Sequence, residues 1–135
     1  MEWVNETDTN DFTGYQGFIY RIDYEDGFFY YGKKDFTADV KTPLGKKALA
    51  EITDARKKNY KRVLRETNWR KYEGSNDSTG FVIKSKTILR VCKTKRELTF
   101  REAEILFTRY CLFDMKCLNK NILGKFFRNV CLDKE

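Results

Sequence analysis

The chain has 135 residues, enough for one domain with a real hydrophobic core, and 41% of them are hydrophobic. It contains no histidine, which excludes Ser-His-Asp and Cys-His catalysis, His-based metal sites and a His general base. Its four cysteines include no C-x-x-C pair, so we expect free, buried thiols. No apolar run approaches the roughly 20 residues of a membrane span, and no signal-peptide pattern opens the chain. We therefore expect a soluble, intracellular protein.

The net charge of +7 is unevenly distributed. Residues 1–32 hold one Arg against seven Asp or Glu, whereas residues 33–71 hold thirteen Lys or Arg against five acids. Such a basic stretch is the electrostatic footprint of a polyanion partner such as DNA, although an ordinary solvated surface would also account for it. We expect an acidic arm over residues 1–14 that is loosely ordered or packs late, one domain over 15–130 with a basic insertion at about 37–79, and a tail over 131–135.

Residues 17–34 predict a β-hairpin, because two aromatic and β-branched runs flank the turn sequence Glu25-Asp26-Gly27. A three-residue loop places the glycine where a positive φ is needed, pairs Tyr20 with Gly32, and sets Tyr20 and Tyr30 on one face. A two-residue loop shifts the register by one and separates the two tyrosines. We predict the three-residue loop. An aromatic core is the plainer interpretation of the same residues.

The middle of the chain predicts a loop followed by a basic helix. Residues 36–45 contain the only proline and are interpreted as the loop. Residues 46–65 lack helix breakers and carry apolar residues near helical spacing, so we predict one helix there, lying against phosphates. Residues 81–92 predict a third strand.

A second helix is predicted to begin at Thr94, where Thr94 and Glu97 form a capping box, and to run to about Phe113. Glu102 and Glu104 border its apolar face from opposite sides, and geometry alone does not choose between them. That face is predicted to hold Phe100, Ala103, Leu106, Phe107, Tyr110 and Cys111. The order of elements predicts an α/β or α+β fold with a small three-stranded antiparallel sheet flanked by helices.

These residues resemble the GIY-YIG nuclease family over roughly residues 17–127. The first motif is Phe18-Ile19-Tyr20, preceded by Gly17, and the second is Tyr30-Tyr31-Gly32. The resemblance is closest to small phage-encoded members, which are similar to free-standing homing endonucleases. Later segments that match in order are residues 72–76, residues 99–102 and residues 119–122.

The resemblance implies an endonuclease that hydrolyses DNA phosphodiester bonds with Mg²⁺ or Mn²⁺. It implies that Glu102 holds the metal, with Glu104 as the fallback. Tyr20 would be the general base or its relay, and Tyr30 would position the water or the scissile phosphate. Asn119 would hydrogen-bond the site from behind, a role for which Asn121 is less favoured.

In the family, the catalytic arginine normally follows the second motif within about two to three helical turns. Residues 33–55 of this chain contain no arginine. The role passes to Arg56, Arg62 or Arg65, or to Lys34. We favour Arg62, because Lys61-Arg62-Val63 resembles a basic stretch of the phage members, with Lys34 assisting. Further DNA-contacting candidates are Lys33, Arg56, Lys57, Lys58, Lys61, Arg65, Arg70 and Lys71.

Two other functions remain open at this point. A catalytically impaired DNA-binding or regulatory module of the same fold would bind DNA in a salt-sensitive way without metal-dependent cleavage. A protein-interaction domain would lack affinity for nucleic acid. A double-strand cut would require a homodimer or sequential nicks by a monomer, and the sequence decides neither this nor the DNA sequence preference.

Overall fold

A four-stranded sheet forms the centre of the computed structural model, which describes residues 1–52, 60–74 and 80–128. Its strand order is β1-β6-β2-β3, and two further pairs, β4–β5 and β7–β8, lie outside it. This α+β architecture confirms the predicted fold class, whereas the sheet has four strands instead of the predicted three, because β1 pairs in parallel with β6. The elements are β1 (Trp3–Asn5), β2 (Gly17–Tyr24), β3 (Phe29–Asp35), β4 (Thr37–Pro43), α1 (Lys46–Ala50), β5 (Tyr60–Glu66), β6 (Ile83–Cys92), α2 (Lys95–Thr108), β7 (Asn121–Ile122) and β8 (Phe126–Phe127).

The hairpin of β2 and β3 has the predicted register. Tyr20 pairs with Gly32, and the loop closes where the Gly27 N–H donates to the Tyr24 carbonyl at 3.1 Å. Gly27 has a φ of 89°, the left-handed conformation that the three-residue loop requires. Local turn chemistry therefore sets which side chains share a face.

The two faces of the sheet carry separate hydrophobic clusters, because successive residues of a strand point to opposite sides. Ile19 and Tyr31 lie on the face that α2 covers, where they belong to clusters containing Leu98 and Leu106. Strand β2 is consequently buried on both sides. The opposite face is aromatic and consists of Phe18, Tyr20, Ile22, Tyr24, Phe36, Trp69 and Ile88.

Helix α2 begins as predicted and ends earlier. The Glu97 N–H donates to Thr94 Oγ1 at 3.1 Å, which confirms the N-cap. The helix ends at Thr108 rather than Phe113, since Tyr110 takes a left-handed φ of 53°. Of its predicted apolar face, Phe100, Phe107 and Tyr110 are exposed. Neither α1 nor α2, the helices of the described ranges, is long and apolar enough to cross a membrane.

The predicted loop is wrong over residues 37–43, which form β4, and the predicted basic helix is wrong over residues 60–65; residues 53–59 of that predicted helix lie outside the described residues. Helix α1 covers only Lys46–Ala50, and residues 60–66 form a strand antiparallel to β4. Lys and Arg suit helices intrinsically, yet Val40 faces Val63 across the pair, and such β-branched contacts favour a sheet. The basic element is thus a two-stranded ribbon.

The acidic arm is partly built into the fold, as strand β1 over residues 3–5. Strand β1 pairs in parallel with β6. The Trp3 ring lies edge-on to Phe18 and Tyr20, at centroid distances of 5.1 and 5.5 Å. Three cysteines, Cys92, Cys111 and Cys117, are free and buried, and Cys131 lies outside the described residues with the predicted tail.

Gly32→Ala should destabilise the fold, because a Cβ at this position would lie 2.3 Å from the Tyr20 hydroxyl oxygen. We expect the free energy of unfolding to fall by about 1–3 kcal/mol, the usual cost of overpacking a core. Gly45→Ala is the control, since Gly45 has an ordinary φ of −64° and nothing within 4 Å of an added Cβ. Urea titration followed by tyrosine and tryptophan fluorescence measures both variants. Equal stability of the two would contradict the close packing of Tyr20 on Gly32.

Candidate active site

A polar pocket of about 450 Å³ opens at the β3 edge of the sheet, between β3, the middle of α2 and the segment leading into β7. It brings together residues from three distant parts of the chain. The polar residues lining it include Tyr30, Lys33, Thr99, Glu102, Asn119 and Lys120. Thr99 and Lys120 were not among the sequence candidates, although each lies within three residues of one.

Glu102 places its carboxylate in this pocket, half-buried. Burial raises the pKa of the carboxyl above its ordinary value of 4.5, while the charge and the backbone N–H of Lys33 act in the opposite direction. Lys33 Nζ donates to Thr99 Oγ1 at 2.9 Å, one helical turn before Glu102. A carboxylate whose pKa is shifted by partial burial in a polar pocket is a common feature of functional sites, which makes Glu102 a candidate metal ligand.

Glu104 lies in a different environment. Its carboxylate accepts two hydrogen bonds from Arg101 Nη1, at 2.9 and 3.1 Å. It borders a separate hollow with Ile19 and Leu89. The helix therefore points the two predicted glutamates to different places, and only Glu102 lies with Tyr30.

The two motif tyrosines are neighbours, with ring centroids 6.2 Å apart. Tyr30 is half-buried and lines the pocket. Tyr20 is fully buried, with the rings of Trp3 and Tyr72 against it at 5.5 and 5.9 Å. Tyr20 thus lies behind Tyr30 as seen from the pocket, packed on Gly32.

Asn119 binds the strand that carries the second motif. Its Nδ2 donates to the Tyr31 carbonyl at 2.7 Å, and its Oδ1 accepts the Tyr31 N–H at 2.9 Å. These bonds fix the β3 backbone between Tyr30 and Gly32, on the side away from β2. Asn121 also lines the pocket, and its Oδ1 accepts the Gly124 N–H at 2.9 Å in an exposed turn.

A second pocket, of about 490 Å³, continues along the same edge. It shares Lys33 and Thr99 with the first, and Lys34 lies in it with its Nζ 4.3 Å above the Tyr72 ring. The two pockets make one basic strip, defined by Lys33, Lys34, Lys95 and Lys120.

Lys86 is a buried lysine next to the second pocket, and it was not among the candidates predicted from the sequence. It is fully buried, its Nζ donates to the Tyr72 carbonyl at 2.8 Å, and burial lowers its pKa. The sequence signal that could have identified Lys86 as buried was its position at an inward-facing site of a strand.

Arg62 lies away from the Glu102 pocket. It is exposed on β5 opposite Lys41, whereas Arg65 pairs with Ala38. Since neighbouring residues of a strand alternate in direction, Arg62 and Arg65 occupy opposite faces of the ribbon. Ala38 lines the second pocket, so the Arg65 face is the one turned to the basic strip. Within residues 1–52, 60–74 and 80–128, no arginine lines the Glu102 pocket.

The remaining predicted DNA-contacting residues are spread along the insertion. Lys61 is exposed on the same ribbon face as Arg65. Arg70 is exposed, pairs with Glu66 at 3.1 Å and stacks over the Trp69 ring, and Lys71 follows it on the surface. Arg56, Lys57 and Lys58 lie outside the described residues.

The donor set fits a hard divalent ion held by one carboxylate. The described part of the chain contains no cluster of three or more His, Cys, Asp or Glu that could enclose a metal. Mg²⁺ and Mn²⁺ prefer oxygen ligands, and Mg²⁺ keeps several waters and is commonly bound by one or two carboxylates with phosphate oxygens. Glu102 supplies such a carboxylate, in a pocket that is lined by the hydroxyl residues Tyr30 and Thr99 as well as by Lys33 and Lys120.

A family model described as "Putative endonuclease segE, GIY-YIG domain" matches residues 3–122. No curated protein and no solved structure gave a match. The matched range contains both motif strands, the basic ribbon, the Glu102 helix and Asn119, which are the parts that build the pocket. The chain therefore belongs to the GIY-YIG nuclease family, in its segE-type branch.

Proposed function

We propose that this protein is a divalent-metal-dependent DNA endonuclease whose active site is the Glu102 pocket. The observation that carries the proposal is the partly desolvated Glu102 carboxylate beside Tyr30 and Lys33. A nuclease of this family acts on a polyanion, and the pocket belongs to a basic strip. The resemblance to small phage-encoded members supports a phage origin.

Glu102 would hold Mg²⁺ or Mn²⁺ from the α2 side of the pocket. When bound, such an ion polarises a phosphate oxygen and lowers the pKa of a coordinated water. Glu104 is not assigned this role, because Arg101 already neutralises its carboxylate.

Tyr30 presents the hydroxyl that meets the attacking water or the scissile phosphate, since it lines the pocket. Because Tyr20 is fully buried, it would not contact DNA and would act only through Tyr30, as the relay for the proton that the water loses. The water oxygen bonds to phosphorus while the bond from phosphorus to one sugar oxygen breaks, and that oxygen takes up a proton. The proton that the water loses would pass to a tyrosine phenolate, and a phenol with a pKa of about 10 is deprotonated near neutral pH only when nearby cations stabilise its anion.

Lys33 and Lys120 would neutralise the charge that develops on the phosphate, because both line the pocket. Lys34 extends the strip toward the neighbouring phosphate. Arg62 is not assigned this role, since it lies on the far side of the ribbon. Asn119 would act indirectly, by holding the β3 backbone that carries Tyr30.

Glu102→Gln should reduce plasmid nicking in Mg²⁺ to the level that wild type shows in EDTA, because the metal ligand is lost. Glu104→Gln, on the same helix, should keep activity near wild type. Tyr30→Phe and Tyr20→Phe should each cost on the order of 100-fold or more, the usual contribution of a group in proton transfer. Gel analysis of supercoiled and nicked plasmid over time measures all four. Equal nicking by the Glu102 and Glu104 variants would contradict the assignment of Glu102 as the metal ligand.

A second candidate function is a DNA-binding module without catalysis. It is favoured by the lack of an arginine in the Glu102 pocket among the described residues. It predicts salt-sensitive binding of plasmid by wild type and no nicking in Mg²⁺ or Mn²⁺. The same assay therefore separates the two candidates.

Glu102→Gln should also raise the melting temperature at pH 7 in EDTA. Because burial raises the folded-state pKa of Glu102, its charged form costs the folded protein free energy above that pKa. The cost disappears as the pH falls below the unfolded value, near 4.5, where both states are protonated. The gain of the variant should accordingly shrink between pH 7 and pH 4.

Millimolar Mg²⁺ or Mn²⁺ at pH 7 should raise the melting temperature of wild type and of Glu104→Gln, and leave Glu102→Gln unchanged. Differential scanning fluorimetry measures this effect without any cleavage. A metal-induced shift of the same size in Glu102→Gln would place the ion elsewhere.

A further inference from the structure

The ribbon of β4 and β5 projects from a firmly held base. The chain passes directly from β3 into β4 through Phe36, which is buried against Trp69 with ring centroids 5.0 Å apart. At the end of β5, Thr67 Oγ1 donates to the Asp35 carbonyl at 2.6 Å, and the Thr67 N–H donates to the Phe36 carbonyl at 2.9 Å. Both strands are therefore fixed relative to the basic strip, while their side chains are largely exposed.

The cross-strand register divides the ribbon into two faces of different character. The site-side face contains no acid and consists of Ala38, Val40, Thr42, Lys61, Val63 and Arg65. The far face mixes both signs of charge, with Lys41 and Arg62 beside Asp39 and Glu66. Mixed charge is the ordinary pattern of a solvated surface, whereas a face that carries cations and no acid suits a polyanion.

We propose that the site-side face of the ribbon binds in the major groove of the duplex DNA that is cut at the Glu102 pocket. The inference rests on the proposed nuclease function and deepens it. A major groove admits a two-stranded ribbon, and it presents phosphates and guanine acceptors to Lys and Arg and thymine methyl groups to apolar side chains. Lys61 and Arg65 supply the cations, and Val40 and Val63 supply the apolar contacts.

The position of Ala38 connects this face to the cutting site. Ala38 is the base of the site-side face, opposite Arg65, and it lines the second pocket with Lys33 and Lys34. A duplex lying on the basic strip would therefore continue onto this face of the ribbon and not onto the far one.

The test compares K61A/R65A with K41A/R62A, two variants that remove the same charge from opposite faces of the same two strands. Binding to a 30-base-pair duplex is titrated in EDTA at 50–200 mM NaCl. Protection of guanine N7, a major-groove atom, from dimethyl sulfate is mapped on a duplex that wild type nicks at a known position. Melting temperatures equal to wild type confirm that both variants are folded.

K61A/R65A should reduce the slope of log affinity against log salt by about 1.8, so that wild type loses about 12-fold more affinity than this variant across that range. It should also lose N7 protection beside the cut. K41A/R62A should keep both the slope and the protection.

Three results would overturn the inference, and they are distinguishable. The site-side face would be rejected if K61A/R65A kept the wild-type salt slope and N7 protection. It would also be rejected if both variants lost them equally. In either case, nicking by wild type would still support the nuclease function. Wild type that neither binds nor nicks duplex DNA would reject the proposed function together with the inference.

Discussion

The packing of Tyr20 on Gly32 is the contact on which the rest of the site depends. The two residues are direct partners across the β2–β3 hairpin, and no side chain larger than hydrogen fits beneath the phenol. This pairing turns Tyr30 to the same face and brings it to the edge of the sheet. It also explains in physical terms why the two short motifs need their separation, since a shift of one residue would place a side chain where the ring lies.

Near that contact, burial and the direction of the side chains give two neighbouring glutamates different electrostatic environments. Glu102 and Glu104 are two residues apart, yet α2 directs one into a pocket with Lys33 and leaves the other paired with Arg101. Burial disfavours the charge of the Glu102 carboxylate and Lys33 offsets this effect only in part, so the pKa of Glu102 stays raised. Asn119 then fixes the β3 edge through two hydrogen bonds to one residue, Tyr31.

Local signals made the hairpin and the start of α2 predictable from the sequence. The Gly27 turn fixes the register, and Thr94 caps the helix, so both depend on residues close together in the chain. The ribbon was not predictable in this way. Its strands pair across a separation that includes α1, and lysine and arginine favour a helix when propensity alone is considered. The face occupied by Arg62, and the choice between Glu102 and Glu104, likewise follow from long-range packing.

The most direct measurement is a structure of the wild-type protein with duplex DNA and Ca²⁺. Ca²⁺ binds oxygen ligands as Mg²⁺ does, so it can occupy the metal site in place of Mg²⁺. We predict the ion on Glu102, the nearest phosphate between Tyr30 and Lys33, and the duplex running along the basic strip. DNA on another surface, or an ion bound away from Glu102, would contradict this account of the active site.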